Sequence, residues 1–368
     1  MKKRVVLLVA IVAIAFTSCT VSNGEPDNGF IVDATDFKGN ITNGTVTLNA
    51  GLEYNLTGAL VVQEGAKLVI PAGTVIKASG GTSSYIAVAQ GAQIFVDGTA
   101  TNPVIMTSSK ATPAPADWGG LVICGKAPTN KGETATAEVS DLTYGGNVTN
   151  DNSGSVKYLR VEYTGATFNG SKEFNGVSLF GVGSGTTFEY VQSYNGGDDG
   201  IEFFGGTVSG KYLVSTGSGD DSIDFADGWS GTGQYWYISK GTKAGIEGSN
   251  NGDDGNASPT TTAVLKDISI VGPGSEGALY IKEGGGHWTA SNIFASGFDL
   301  GIKIKSSDTA ANNNVKNGNI VITNIQFDNV TKKDEYTGSE TYFTEGTNTG
   351  AGNGKNVPAW AASWTVGL

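Results

Sequence analysis

The chain has 368 residues, with 35 acidic against 23 basic side chains and glycine as its commonest residue at 56 positions. A net charge of −12 weighs against nucleic acid or an anionic membrane surface as partner. Neutral glycans, cations or another protein remain.

In chain order, the first segment is "MKKRVVLLVAIVAIAFTSC": a basic start at Lys2, Lys3 and Arg4, an apolar run from Val5 to Phe16, then Thr17-Ser18-Cys19. It is too short for a permanent membrane span and reads as a secretion signal. A small residue directly before cysteine is the lipoprotein pattern, with residues 1–18 removed and Cys19 lipidated; the alternative is an ordinary cleaved signal with an incidental cysteine. Phe16 stands where leucine is usual. Residues 19–29 form a polar linker, and residues 30–368 the folded domain. Cleavage takes away three positive charges, so the mature chain moves from −12 to −15. Cys124 is then the only other cysteine, so burial and not a crosslink must hold this domain.

Short Val/Ile/Thr/Tyr/Phe runs between turn clusters indicate an all-β chain. "EGAKLVIPAGTVIKA" (64–78) is answered by "QGAQIFVDGTATNPVIMTS" (90–108), and the pattern continues through "KYLRVEY" and "VSLFGV". Only residues 128–155 break it, as a loop excursion. Val177 stands 24 positions before Ile201, and Ile201, Ile223, Ile246, Leu279 and Ile302 follow at intervals of 22, 23, 33 and 23. The long interval holds "GSNNGDDGNASPTTT" (248–262), a surface-loop composition inserted into one turn. A second series, Val191, Val214, Ile238, Ile270 and Ile293, keeps step with the first. Two series at one period predict a right-handed parallel β-helix, a single solenoid of about 22–24 residues per coil with at least two strands in each. At the C-terminus, Trp360 and Trp364 stand four apart after Pro358, the spacing of a short helical cap over the last coil.

Two stretches carry the chemistry: "GGDDGIEFFGG" (196–206) and "GSGDDSIDFADG" (217–228). With the isoleucines inward, the next residue of each strand points outward. Glu202, Asp224 and Glu247 then form one ladder on the outer face, and Asp199 and Asp221 another, with Asp198 and Asp220 beside them. Like charges about 5 Å apart repel by roughly 3 kcal/mol at an effective dielectric near 20. These seven acids therefore need water, protons or cations. Full solvation with help from Lys243, in the column of Asp220, and Lys303, farther along the Glu202 ladder, is the plainest answer. Calcium, which takes several carboxylate and carbonyl oxygens, is the second. Catalysis is the third.

"GGDDG", "GDDSIDF" and "GIKIKS" are similar in order to motifs of the polygalacturonase family. That resemblance would make Asp199, Asp220 and Asp221 an acid/base set for inverting hydrolysis. The coil after "GDDSIDF" has no histidine, however, and no arginine precedes Ile302-Lys303. His287, in "GGGHW", reads as a turn residue. A lyase of the pectate-lyase-like type needs calcium and a basic residue, and Arg160, the single arginine after the leader, falls by register in the column of Tyr190, away from the acids. Cys124 reads as a buried small residue.

A closer resemblance spans nearly the whole mature chain. "PAGTVIKA", "DGTATNPVIMTS", "ADWGGLVICGKAPTN", "NDNSGSVKYLRVEYTG", the two acidic stretches and the terminal tryptophan pair resemble a group of secreted or lipid-anchored β-helix proteins of Bacteroidetes and other Gram-negative bacteria. The resemblance implies a cell-envelope location, periplasmic or outward-facing, with a TonB-dependent outer-membrane receptor as partner; a glycan is the other partner, left open by the charge balance. The expected role is a binding or display module, with a polysaccharide-degrading enzyme as the alternative.

Overall fold

The computed structural model describes residues 29–170 and 172–368, so the leader, Cys19 and all of the linker but Gly29 lie outside it. The strands stack in parallel around one right-handed tube. The expected inward column is present: Val177, Ile201, Ile223, Ile246, Leu279 and Ile302 are paired coil to coil and none is exposed.

Each coil carries three sheets, one more than the two apolar series reveal, because one continuous strand serves two of them. In Gly154–Glu162 the first half pairs with Gln93–Asp97 and the second half with Val104–Ser108. Tyr158 makes the bend with φ +50°. The same corner recurs at Tyr190, Tyr212, Tyr235, Asp267, Asn292 and Asn324, with φ between 56° and 57°. Asp and Asn tolerate this left-handed conformation; tyrosine does so at a cost. Ring stacking offsets that cost, since Tyr158, Tyr190, Tyr212 and Tyr235 lie face to face at 4.3, 4.4 and 5.0 Å.

The second apolar series needs correction. Its true inward column is Val191, Leu213, Trp236, Ile268, Ile293 and Ile325. Ile238 and Ile270 sit two residues farther along the same sheet, and Val214 faces outward into an apolar cluster with Tyr237, Ala361 and Trp364. The outer face of this sheet is apolar because the C-terminal tail covers it. That tail is a run of turns and not a helix, and it does not cap the last coil. It runs back along the tube as a strap. Ala351 N–H donates to Ser269 Oγ (3.0 Å), Tyr237 Oη to the Lys355 carbonyl (2.9 Å), and the Gln192 side chain both donates to and accepts from the Val366 backbone (2.8 and 2.9 Å). Phe30 and Ala34 close one end of the core, and Phe327, Val330, Tyr336 and Phe343 the other. Among the described residues the one α-helix is Thr309–Lys316, capped by Asp308 accepting from Ala311 N–H at 2.9 Å.

The excursion begins and ends earlier than expected: the chain leaves the tube after Cys124 and re-enters at Gly154. Gly154 has φ +109°, and a Cβ there would stand 2.0 Å from the Ile94 carbonyl oxygen. Gly154→Ala should therefore destabilise the domain by about 3 kcal/mol or more. A denaturant-unfolding midpoint equal to that of the parent would refute this account of the re-entry point. Within the excursion, Ala135–Thr136 and Thr143–Tyr144 pair as an antiparallel hairpin. Ala137, Val139 and Tyr144 pack it onto Val122, Cys124, Phe180 and Phe204, the outer face of the third sheet. The inserted loop after Ser249 fastens it: Lys131 pairs with Asp253 at 2.5 Å, and Asn130 bonds the Asn250 carbonyl at 2.9 Å.

Candidate functional site

On the third sheet one outward column reads Ser178, Glu202, Asp224, Glu247, Tyr280, Lys303, each residue paired with the next. The ladder of acids is real. It is not wet, as solvation alone would require: Glu202 and Asp224 are each 8% exposed and Glu247 4%. Asp199 and Asp221 are buried too, whereas Asp198 and Asp220 are half-buried. The exposure expected from strand alternation fails on this wall, and the hairpin packs beside it on Phe180 and Phe204, in the strands that carry Ser178 and Glu202. Glu138, half-buried on the hairpin, adds its charge to those of Asp198 and Glu202.

Asp199 and Asp221 each spend an oxygen on the tube itself. Asp199 Oδ1 accepts from Asp221 N–H at 2.8 Å, and Asp221 Oδ1 from Ala244 N–H at 2.5 Å. Asn175 donates to Glu202 Oε2 at 2.6 Å. Lys243 pairs with Asp220 at 2.6 Å, as its column predicts. Lys303 holds its place in the ladder but pairs with Glu276 at 2.7 Å. Lys282, which sequence reasoning missed, pairs with Glu247 at 2.6 Å. Strand alternation from Tyr280 was the available signal for it. Asp227, bonded by the Tyr144 hydroxyl at 3.5 Å, was missed as well, because its partner comes from the excursion.

Three sets of carboxylate oxygens converge within 4.8 Å: Asp198, Asp199 and Asp220; Asp199, Glu202 and Asp224; Asp221, Glu247 and Glu276. In the middle set no acid has an ion-pair partner among the described residues, and a buried oxygen of Asp224 lacks any hydrogen-bond donor. Burial, then mutual repulsion, raises the acids: Asp198 is pushed up to about 7 and Asp221 to about 9, while Asp199, Glu202 and Asp224 stand well above the usual carboxylate range. Such a set holds either protons or a hard cation. It is poorly shaped for inverting hydrolysis, which needs two carboxyl groups roughly 6.5–9.5 Å apart with a water between them.

The remaining singled-out residues lie apart from this wall. Arg160 is in register with Gln192, not Tyr190, whose ring stacks instead on Tyr158; Arg160 pairs with Glu162 at 2.9 Å. His287 opens a strand, paired with Thr262, and is not in a turn. Cys124 is fully buried, which drives its thiol far above the usual range.

The family model described as a pectate-lyase like beta helix domain matches residues 39–365. No curated protein and no solved structure matches the chain.

Proposed function

Since the chain belongs to the family of pectate-lyase-like beta helix domains, we propose that it works as a cell-envelope binding and display module whose buried acidic wall takes up calcium. The observation that carries this reading is the set Asp199, Glu202 and Asp224: three buried carboxylates within 4.8 Å, without a lysine and with one oxygen unsatisfied. Calcium suits them because it is hard, accepts irregular oxygen coordination and supplies the positive charge that this set of three lacks. Asp198, Asp220, Asp221 and Glu247 flank that centre. In this reading the chain is a lipoprotein anchored through Cys19 to the outer membrane, and the tube presents its outer faces to a glycan or to a TonB-dependent receptor.

The test is thermal unfolding of chelator-treated protein during a calcium titration at pH 7.5. Binding at 100 times Kd adds about 2.7 kcal/mol of stability, so Tm should climb by several degrees. Asp224→Asn with Glu202→Gln should abolish the rise. No shift at millimolar calcium would refute the cation reading. Release of reducing ends from a polysaccharide, lost in Asp221→Asn, would replace the module by a hydrolase.

A further inference from the structure

Along the third sheet this chain neutralises its lysines one by one. Lys243, Lys282 and Lys303 each meet a carboxylate at 2.6 or 2.7 Å, and on the coil beyond them Lys333 meets Glu345 at 2.7 Å. Lys305 and Lys332 are exceptions: both are exposed, and neither has an ion-pair partner among the described residues. They meet in one cleft of about 310 Å³, lined also by Ser306, Ser307, Thr337 and Glu335. Two neighbouring strands form it. Lys305 follows Leu300–Ile304 and leads through Ser306-Ser307 to the helix, while Lys332 opens Lys332–Asp334. Behind it stands Tyr280, whose ring centre lies 4.0 Å from Lys303 Nζ and 5.5 Å from Lys305 Nζ.

We infer that this cleft binds a tetrahedral oxyanion ester, a sulfate or phosphate group carried on a sugar. Two ammonium groups and three hydroxyls offer donors from several directions, which suits the three terminal oxygens of such an ester. A carboxylate is matched better by the planar fork of an arginine, and the cleft has none. Glu335 is the one acceptor side chain among the charged groups there; it would take hydrogen bonds from sugar hydroxyls and would repel a densely charged polyanion. The volume fits one sugar residue with its ester. The site stands apart from the acidic wall and does not rest on the calcium reading.

Isothermal titration calorimetry on the full mature chain, with chelator present so that the acidic wall stays free of divalent cations, decides the matter. The probes are galactose 6-sulfate, galactose 6-phosphate, galacturonate, galactose and inorganic sulfate. One of the two esters should bind, more weakly as salt is raised, and the better one identifies the group. Lys305→Ala with Lys332→Ala should weaken that binding at least ~10-fold while leaving Tm unchanged. Galacturonate or galactose binding as tightly as the esters would overturn the oxyanion assignment, and inorganic sulfate binding as tightly would overturn the sugar. Failure of both esters to bind, or parental affinity in the double variant, would overturn the site.

Discussion

In the presence of a chelator the folded chain should lose stability steadily as the pH rises from about 4 to about 9, with a fall in Tm of roughly 10 °C. Each buried acid of the wall holds its proton more tightly in the folded state than in the unfolded chain, where carboxylates titrate near 4. Stability from such a group is complete below that unfolded value and is lost as pH climbs through the folded one. The folded values mark the window: about 6 for Asp227, about 7 for Asp198 and about 9 for Asp221, with Asp199, Glu202 and Asp224 raised in the same direction by burial and one another's charge. Asp117 and Asp328 are shifted the other way by lysine and serine partners, so their contribution disappears only as pH falls below about 4. Calcium should flatten the profile, because it replaces protons on the same oxygens and releases them as it binds. Unfolding midpoints measured across this range with and without calcium check both halves. A chelated protein whose Tm stays level or rises toward pH 9 would mean that the wall is ionised and solvated after all.

Trp364→Ala should cost about 3–5 kcal/mol, the range for truncating a large buried aromatic. Trp364 is 1% exposed and meets the rings of Tyr158 and Tyr190 edge-on at 5.8 and 6.2 Å. Trp360 does the same to Tyr212 at 5.2 Å. The two indoles hold the strap against the tyrosines that adopt a strained corner, so their loss uncovers both an apolar face and the strain beneath it. Trp360→Ala should cost less, since that ring is only half-buried. Chemical denaturation of the two variants tests the order. Equal, small losses would show that the strap contributes little to the fold.

Half of the candidate site was legible before any coordinates. Glu202, Asp224 and Glu247 were placed in one column by counting from the inward isoleucines, and Lys243 beside Asp220 by the same count. Burial was not legible. Ala137, Val139 and Tyr144, which pack beside the wall, come from a segment outside the repeat, and their contacts with Phe180 and Phe204 span tens of residues. Val214 misled for a related reason: an apolar residue facing outward under the strap cannot be told by hydropathy from one facing the core.

By itself the sequence determined the period of the tube, the inward column and the alignment of the acids, because a coil is a local unit and the inward apolar position must recur each time the chain comes round. Only the tertiary structure decided which outer faces meet water. A hairpin packs on one outer face and a terminal strap on another, each arriving from a distant part of the chain, so the repeat alone does not say whether a row of outward charges is wet or is a buried set that must find protons or a cation.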